Sequence, residues 1–334
     1  MAAVEPELGY MTPLPPTCNA AAAMLPTAKG GEDGFCVGEN GELVWTFDHR
    51  GAGESRDVRN AQIDEEGHAA AALRAAGGQP AWCLRDFRRV VVHDGRVELQ
   101  RDREHFRLDQ HGFALVHAES DFARRGGDFY TPSAVEQSYY PEVEGLLRAQ
   151  VGVDRVVVFD HITRDLTPPI GTTSAEDPRG YVTHVHCDYT EVGAHRRAEQ
   201  LLGPKAAAEW CSNGRRLGII QIWRPIATVH RSPLALLDAS TVDLTERISI
   251  QLQYETRVGL NYYLAHSDAH QWWYFPTMEP DEFLMFKCFD SDDSRAQFCF
   301  HTSFDTDAPD APRRSHRKSI EVRALVSWPA ESKL

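Results

Sequence analysis

Closely spaced β-strand patterns are the feature that most constrains the fold of this chain. After residue 210, short stretches rich in β-branched and aromatic residues follow one another with turn signals between them. These stretches cover residues 215–226, 246–255, 258–266, 270–278, 281–290, 296–304 and 318–328. Helical patterns lie mainly before them, at residues 64–77, 133–152 and 195–211. The sequence therefore predicts a mainly β protein with flanking helices (α+β), built on a closed or sandwiched antiparallel core.

The organisation of the chain favours one domain. Its 334 residues could form one large domain or two ordinary ones, but no linker-like composition divides them. Residues 1–34 are rich in Pro, Ala and Gly and lack a sustained period, which predicts a loosely ordered leader. Residues 35–334 are then expected to form a single domain whose β core lies mainly in residues 155–330.

Two local signals predict where elements turn or end. The dipeptide Asp94-Gly95 lies between β-branched runs within residues 86–100, and Asp-Gly is a strong signal for a two-residue hairpin turn. Gly152 follows the helical spacing that begins at residue 133, and a glycine commonly ends a helix. We therefore predict a β-hairpin at residue 94 and a helix that stops at residue 152.

Charge and cysteine content narrow the class of protein. The formal net charge is −14 and no basic stripe is present, which argues against a nucleic-acid partner. No apolar run approaches the about 20 residues that cross a bilayer, and the first residues lack the basic and apolar regions of a secretory signal. The seven cysteines contain no CxxC pair and are expected to be reduced thiols. We therefore expect a cytoplasmic protein without a membrane partner.

Residues 181–193, YVTHVHCDYTEVG, carry the strongest chemical signal. Alternate residues of a strand share a face, so His184, His186 and Asp188 are predicted to point the same way. A histidine and an aspartate two residues apart supply two ligands of the two-His-one-carboxylate triad that binds non-haem iron(II). The third ligand should come from a distant strand, and His301 in FCFHTSF is the candidate. A polar surface strand and an aromatic-packed core histidine are the structural alternatives.

Arginines that follow His301 could bind an anion. Arg317, Ser319, Glu321 and Arg323 are predicted to share one face of the strand at residues 318–328, while apolar residues share the other. Burying an arginine on an apolar strand is costly unless it meets a carboxylate. The order of an HxD pair, a distant histidine and a strand arginine is more specific than any of its parts.

This order resembles that of the iron(II)/2-oxoglutarate-dependent dioxygenases. The stretches IIQIWRPI, HQWWYFPTMEPDEFLMFKCFDS and RKSIEVRALVSWP are more closely similar to the CmcJ/AsaB-type hydroxylase/desaturase family of secondary metabolism. The resemblance extends over roughly residues 40–330 and implies a double-stranded β-helix (jelly-roll or cupin-like) core. It also implies iron(II) and 2-oxoglutarate as cofactors, with dioxygen as cosubstrate. His186, Asp188 and His301 would be the catalytic metal ligands.

The resemblance also implies an arginine that binds the far carboxylate of 2-oxoglutarate. We favour Arg323, because it lies six residues further along the strand than Arg317 and so deeper in the barrel. Arg323 follows His301 at a longer interval than is usual in the family, and the acidic loop between them could account for this. Arg317 and Ser319 therefore remain candidates for binding a carboxylate.

The activity implied by the resemblance is hydroxylation, desaturation or oxidative ring closure of a small metabolite, often derived from an amino acid or peptide. The residues predicted to contact the substrate are Arg224, His184, Lys287 and Trp273. Each has a structural alternative. These alternatives are pairing of Arg224 with Asp238, pairing of Lys287 with Asp290 or Glu282, a supporting position beside the ligands for His184, and core packing for Trp273. The sequence leaves the substrate and the oligomeric state open.

Two other functions compete with this interpretation. His184, His186 and Glu191 form a partial cupin motif, which would describe a metal enzyme that does not need 2-oxoglutarate. The chain could instead be a non-catalytic partner subunit of a biosynthetic enzyme. Dependence on 2-oxoglutarate tests the first alternative, and metal content tests the second.

Overall fold

A computed structural model describes residues 3–4, 6–11, 34–37, 43–48, 85–165, 181–253, 258–304 and 316–330 of the chain. The helix predicted for residues 64–77 lies outside these described residues. The strands, in chain order, are β1 (Ala3–Val4), β2 (Glu7–Met11), β3 (Gly34–Val37), β4 (Leu43–Asp48), β5 (Arg85–Arg89), β6 (Val92–Asp94), β7 (Phe113–His117), β8 (Arg155–Asp165), β9 (His186–Cys187), β10 (Arg216–Pro225), β11 (Leu234–Leu237), β12 (Arg247–Gln253), β13 (Val258–Leu264), β14 (Trp272–Tyr274), β15 (Glu282–Asp290), β16 (His301–Ser303) and β17 (Lys318–Trp328).

Helices flank these strands, mostly in the first two thirds of the chain. The α-helices are α1 (Gly95–Arg101), α2 (Leu108–His111), α3 (Asp121–Arg124), α4 (Pro132–Ala134), α5 (Tyr140–Val151), α6 (Glu191–Leu202) and α7 (Pro204–Cys211). A π-helical turn, Val135–Tyr139, joins α4 to α5, and the 3₁₀ turns are Ala239–Thr241 and Leu244–Glu246. None of the helices in the described ranges has the length and apolar character to span a bilayer.

The strands form two main sheets that face each other. The ten-stranded sheet has the order β1-β6-β14-β11-β16-β9-β13-β12-β4-β3, and the five-stranded sheet has the order β7-β15-β10-β17-β8. The ring of Phe286 on β15 lies 4.7 Å from that of His301 on β16. Arg323 on β17 donates a hydrogen bond to Asp188, which follows β9. Side chains from both sheets therefore meet in one interior space.

Strand β17 shows how alternation separates the core from the site. Ile320, Val322 and Ala324 are buried in one apolar cluster with Val143 and Leu147 of α5. Burial of apolar surface of this kind contributes roughly 25 cal/mol per Å² and holds the helix against the sheet. The residues between them, which include Ser319, Glu321 and Arg323, point to the opposite face, toward the ten-stranded sheet, as the sequence predicts.

Helix ends position the chain on either side of the site. Helix α5 ends at Gly152, which adopts a left-handed φ of 70°, in agreement with the prediction. Helix α6 begins after Thr190, whose hydroxyl accepts a hydrogen bond of 2.9 Å from the backbone N–H of Gly193. Because Thr190 follows Asp188 by two residues, this cap fixes the direction in which the chain leaves the predicted ligand strand.

The hairpin predicted at Asp94-Gly95 is wrong. Asp94 ends β6 and its carboxylate accepts a hydrogen bond of 2.8 Å from the backbone N–H of Arg96, which makes it the N-cap of α1. Asp is as favourable at a helix N-cap as in a hairpin turn. A Cβ at Gly95 would lie 2.5 Å from the ring of Phe275, so the glycine is needed for close packing instead of for a turn.

The first residues are more ordered than a loose leader. Within residues 1–34, β1 pairs with β6 and β2 pairs with β5. Tyr10 is fully buried, and its hydroxyl accepts a hydrogen bond of 2.6 Å from Nε1 of Trp272. Residues 3–4 and 7–11 are therefore held by strand pairing, and the leader of residues 1–34 stays a prediction. The domain boundaries stay a prediction.

Candidate metal centre and its surroundings

Three predicted ligands converge between the two sheets. One ligand atom from each of His186, Asp188 and His301 lies within 4.8 Å of the others. Strand β9 supplies His186, and β16 places His301 directly opposite it. The two imidazole ring centres are 4.3 Å apart, and Nε2 of His186 lies 3.5 Å from Oδ1 of Asp188. All three side chains are about nine-tenths buried or more. A divalent ion fits this spacing of nitrogen and oxygen donors.

Both histidines present the same nitrogen to the centre. Nδ1 of His186 lies 2.9 Å from the carbonyl oxygen of His184, and Nδ1 of His301 lies 3.1 Å from that of Cys299. A carbonyl only accepts hydrogen bonds, so each Nδ1 carries the proton and donates it. Each Nε2 then has a lone pair for a metal, and the hydrogen bond fixes the orientation of the ring.

Burial and neighbouring charges favour the protonation states that bind a metal. Burial lowers the pKa of His301 to about 4, with a further contribution from His186, so its imidazole is neutral at pH 7. Burial alone would raise the pKa of Asp188, but the Arg323 guanidinium and His186 outweigh it and hold this pKa well below its usual range. The centre therefore presents a neutral imidazole and a carboxylate.

The structure places Arg323 beside Asp188, one of the predicted metal ligands. Its Nε donates to Oδ2 of Asp188 over 2.8 Å, and its two terminal nitrogens donate to Glu321 over 2.8 Å and to Asp160 over 3.3 Å. All three guanidinium nitrogens therefore already contact carboxylates of the protein. The sequence analysis favoured Arg323 as the anchor for 2-oxoglutarate, and in that role it would have to give up one of these contacts.

Arg317 and Ser319 occupy a different part of the same interior. A terminal nitrogen of Arg317 donates to Oγ of Ser303 over 3.1 Å, and Ser303 lies two residues after His301 on β16. The Arg317 guanidinium also lies 4.2 Å from the ring of Tyr181. Oγ of Ser319 is buried and makes no hydrogen bond within the described ranges. Residues two apart share a face, so Ser303 and His301 open into the same space.

His184 lies behind the centre. Its Nε2 is 2.9 Å from the hydroxyl of Tyr263, and the two rings are 4.8 Å apart. Tyr263 is directly opposite His186 on β13. The alternative ligand set of His184, His186 and Glu191 is not brought together, because Glu191 is exposed in the first turn of α6. Within the described ranges, the structure therefore supports the triad and not the cupin motif.

The structure places Arg224 on the opposite side of the five-stranded sheet. Its guanidinium donates to the carbonyl oxygens of Ala118 and Pro280, each over 2.8 Å, and to the hydroxyl of Tyr139 over 3.0 Å. The predicted alternative, pairing with Asp238, is not among these contacts. Arg224 therefore connects two loops to the helical layer and does not reach the metal centre.

Lys287 likewise points away from the centre. Its Nζ lies 2.6 Å from Oδ2 of Asp290 and 2.7 Å from Oδ1 of Asp109, and the side chains of Lys287 and Asp290 are fully buried. The Nε of Arg216 lies 3.1 Å from Asp290 on the other side. This is the ion pair that the sequence analysis gave as the alternative to a substrate contact.

Replacing Lys287 by methionine is expected to destabilise the protein without a specific effect on substrate binding. The change leaves the buried Asp290 with Arg216 as its remaining charged partner among the described contacts, and breaking a buried ion pair of this kind costs about 3 kcal/mol. Denaturant unfolding of Lys287→Met and of the double variant Lys287→Met/Asp290→Leu measures the effect, and the double variant should recover part of the loss. A stable Lys287→Met variant with a raised KM for substrate would contradict this structural role.

Trp273 faces the same interior space as the centre. It is directly paired with Leu236, and Leu236 is directly paired with His301, so the three share one face of the sheet. Strand β11 lies between β14 and β16, so the backbone of Trp273 is about two strand spacings, or about 10 Å, from that of His301. Its ring lies 5.1 Å from those of Phe106 and His93. Trp273 and its aromatic neighbours form a wall beside the centre.

Some residues of the site had no clear signal in the sequence. Asp160 and Arg164 lie on β8, and they reach the site only because β8 pairs with β17. Arg164 donates to Glu321 over 3.1 Å. Glu321 shares its face with Arg323, so the alternation of β17 could have identified it. Nothing in the sequence indicates that β8 is the neighbour of β17.

Comparison with known proteins shows the family. Residues 61–327 match a family model described as Oxidoreductase/YMDC permease-like domain. The alpha-ketoglutarate-dependent dioxygenase tstK of Talaromyces stipitatus is 30% identical over 241 residues, which cover 69% of this chain and 83% of tstK. The chain belongs to the iron(II)/2-oxoglutarate-dependent dioxygenases. Hydroxylase/desaturase efuI of Hormonema carpetanum is 28% identical to this dioxygenase over 265 residues, which cover 72% of the dioxygenase and 83% of efuI.

A solved structure agrees with the fold of the dioxygenase. The iron and alpha-ketoglutarate-dependent endoperoxidase NvfI has a TM-score of 0.66 and 21% sequence identity, and the match covers 98% of each chain. The predicted double-stranded β-helix core is therefore confirmed. The predicted hydroxylase/desaturase family is confirmed by the sequence relatives.

Proposed function

We propose that this dioxygenase oxidises a C–H bond of a small specialised metabolite, with iron(II) held by His186, Asp188 and His301. The observation that supports this most directly is the convergence of the three ligand atoms within 4.8 Å in a buried site. Iron(II), 2-oxoglutarate and dioxygen together supply the oxidation, and 2-oxoglutarate leaves as succinate and carbon dioxide. The outcome is hydroxylation, desaturation or oxidative ring closure.

His186, Asp188 and His301 would hold the ion from one side. Two imidazoles and one carboxylate of this kind leave the remaining coordination positions for cosubstrate and dioxygen. Each Nε2 is held in place by a backbone hydrogen bond through Nδ1, made by His186 to His184 and by His301 to Cys299. These hydrogen bonds fix the orientation of both rings, which reduces the cost of ordering the ligands around a metal.

Arg317 with Ser319 is our proposed anchor for the far carboxylate of 2-oxoglutarate, in place of Arg323. A dicarboxylate at Arg323 would have to displace Asp188, and it would meet the negative charges of Glu321 and Asp160. At Arg317 it would meet a planar guanidinium, whose fork matches a carboxylate. The hydroxyl of Ser319, buried and without a hydrogen bond in the described ranges, supplies a further donor.

The aromatic wall formed by Trp273 and its neighbours favours a substrate that has an apolar part. Trp273 and Phe106 pack edge to face at 5.1 Å beside the centre. The resemblance implies a substrate often derived from an amino acid or peptide, and Arg224 was among the residues predicted to contact it. Arg224 faces away from the centre, and Arg323 is engaged by carboxylates. We therefore propose that shape and apolar contact, more than a substrate carboxylate, place the reacting carbon.

We also infer a cytoplasmic location, without a membrane or nucleic-acid partner. Cys187, Cys211, Cys288 and Cys299 are free thiols, which agrees with a reducing compartment. Such a compartment also keeps iron in the ferrous state. The net charge of −14 supports the absence of a nucleic-acid partner.

Coupled turnover tests the proposed function. The protein is loaded with iron(II) and 2-oxoglutarate without oxygen, mixed with a panel of apolar metabolites and short peptides, and then exposed to air. We expect succinate release that requires both iron(II) and 2-oxoglutarate and that increases with one substrate of the panel. The mass of that substrate should change by about +16 Da, for the gain of one oxygen, or by about −2 Da, for the loss of two hydrogens. Substrate oxidation without 2-oxoglutarate would support the cupin alternative, and protein that binds no metal would support the partner-subunit alternative.

A further inference from the structure

The ion pair between Arg323 and Asp188 gives the two oxygens of the Asp188 carboxylate different contacts. Oδ2 of Asp188 accepts a hydrogen bond of 2.8 Å from Nε of Arg323. Oδ1 lies on the other side, 3.5 Å from Nε2 of His186. One oxygen is therefore held by the protein, and the other is directed toward the two histidines.

The guanidinium that holds Asp188 is itself fixed by other carboxylates. Glu321 accepts from one terminal nitrogen over 2.8 Å, and Asp160 accepts from the other over 3.3 Å. Glu321 in turn accepts from Arg164 over 3.1 Å. Asp188, Arg323, Glu321 and Arg164 thus form a chain of alternating charge across β17 and β8.

This row of charged side chains is almost completely buried from solvent. The side chains of Asp188, Arg323, Glu321 and Arg164 are each between 9 and 11% exposed. Charge-assisted hydrogen bonds between such buried groups are stronger and more directional than at a surface. Rotation of Asp188 about its side-chain bonds would break its contact with Arg323 and leave two buried charges without each other, which costs several kcal/mol.

We propose that Arg323 is a positioning residue for the metal ligand Asp188. It holds Oδ2 so that Asp188 offers only Oδ1 to the ion, and Glu321 and Arg164 keep the guanidinium in place. A carboxylate that binds through one oxygen occupies one coordination position, so the others stay open to 2-oxoglutarate and dioxygen. This inference rests on the proposed function and adds a role that is separate from cosubstrate binding.

The Arg323→Lys variant tests whether the planar guanidinium, and not only its positive charge, is needed to position Asp188. Lysine keeps the positive charge but is a point donor that cannot bridge three carboxylates. Removal of a group that orients a metal ligand typically lowers metal affinity 10- to 100-fold, so we expect the Kd for Co²⁺, measured by titration without 2-oxoglutarate, to rise by about that factor. The visible absorption of bound Co²⁺ should also change in intensity, because its coordination geometry changes.

Two variants control this experiment. Arg224→Lys makes the same substitution at a buried arginine on the other face of the same sheet, and it should leave the Co²⁺ affinity and spectrum unchanged. Glu321→Gln keeps the shape of the chain of contacts but removes one charge, and it should change the Co²⁺ spectrum in the same direction as Arg323→Lys, to a smaller extent. Thermal unfolding without metal shows whether each variant is folded, and Glu321→Gln replaces Arg323→Lys if the latter does not fold.

The outcomes separate this inference from the proposed function. Wild-type affinity and spectrum in both Arg323→Lys and Glu321→Gln would overturn the positioning role, while the metal site itself would stand. An unchanged Co²⁺ affinity with a much weaker affinity for 2-oxoglutarate in Arg323→Lys would overturn it in favour of Arg323 as the anchor. Wild-type protein that binds neither Co²⁺ nor Fe²⁺ would overturn the proposed function and this inference with it.

Discussion

The Asp188→Asn variant is expected to fold but to lose at least about 1,000-fold in kcat/KM for substrate oxidation. The amide has the shape of the carboxylate but lacks the negative charge that would hold a divalent ion beside the two imidazoles. Metal-dependent activation is worth several kcal/mol, and about 4 kcal/mol corresponds to a factor of about 1,000 in rate. Succinate release and iron content, measured on the same purified sample, check this result.

Asp154→Asn is the matched control for this variant. Asp154 is an ion-paired aspartate at the beginning of β8, about half-exposed, and its partner is Arg215. Loss of an exposed ion pair changes stability by no more than about 1 kcal/mol, so this variant should keep wild-type iron content and turnover. Asp188→Asn with full activity and full iron content would show that the aspartate is not a ligand.

The grouping of His186, Asp188 and His301 could be predicted because each residue is tied to a local pattern. Strand alternation places His186 and Asp188 on one face, whatever the strand pairs with. His301 was identified from its order in the chain and from the aromatic residues around it. Strand β9, in contrast, is only two residues long, so no strand pattern could show that β16 lies beside it. The residues of the triad follow from the sequence, and their neighbours depend on tertiary pairing.

The direction of a buried strand residue was harder to predict. Strand β10 is buried at nine of its ten positions, so its sequence has no polar alternation that separates one face from the other. Trp223 faces the interior near Arg317, whereas Arg224 faces the helical layer. The same uncertainty applied to Lys287 on β15, which is buried along its whole length. Charged residues on such strands cannot be assigned to a site until the facing elements are known.

The sequence also could not show whether Arg323 or Arg317 binds 2-oxoglutarate, for a related reason. Alternation correctly placed both on the inward face of the same chain segment. It gave no information on which carboxylates each arginine would meet, because Asp160 comes from β8 and Asp188 from the other sheet. Distance along the strand was therefore a poor guide to the anchor. The carboxylates that Arg323 already meets, and not its depth, are the reason why we propose a different anchor.

The Arg317→Gln variant is expected to raise the KM for 2-oxoglutarate about 100-fold. Glutamine keeps a polar N–H donor at this buried position but is shorter than arginine, so the contact that Arg317 makes with the carbonyl oxygen of Ser232 at 2.6 Å is lost together with the guanidinium. It cannot form a charged, two-pronged contact with a carboxylate, and loss of such a buried partner costs about 3 kcal/mol. Initial rates of succinate formation over a range of 2-oxoglutarate concentrations measure the change.

Companion variants distinguish an anchor from a general defect. Ser319→Ala should raise the same KM about tenfold, because a hydrogen bond to a charged group contributes about 1.5 kcal/mol. Both variants should bind Co²⁺ with wild-type affinity when 2-oxoglutarate is absent, since neither residue contacts the ligand atoms. Arg323→Lys should instead weaken Co²⁺ binding as its primary effect, and the KM for 2-oxoglutarate should change less than the Co²⁺ affinity. A normal KM for 2-oxoglutarate in Arg317→Gln would exclude Arg317 as the anchor, because this variant has no guanidinium to bind the carboxylate.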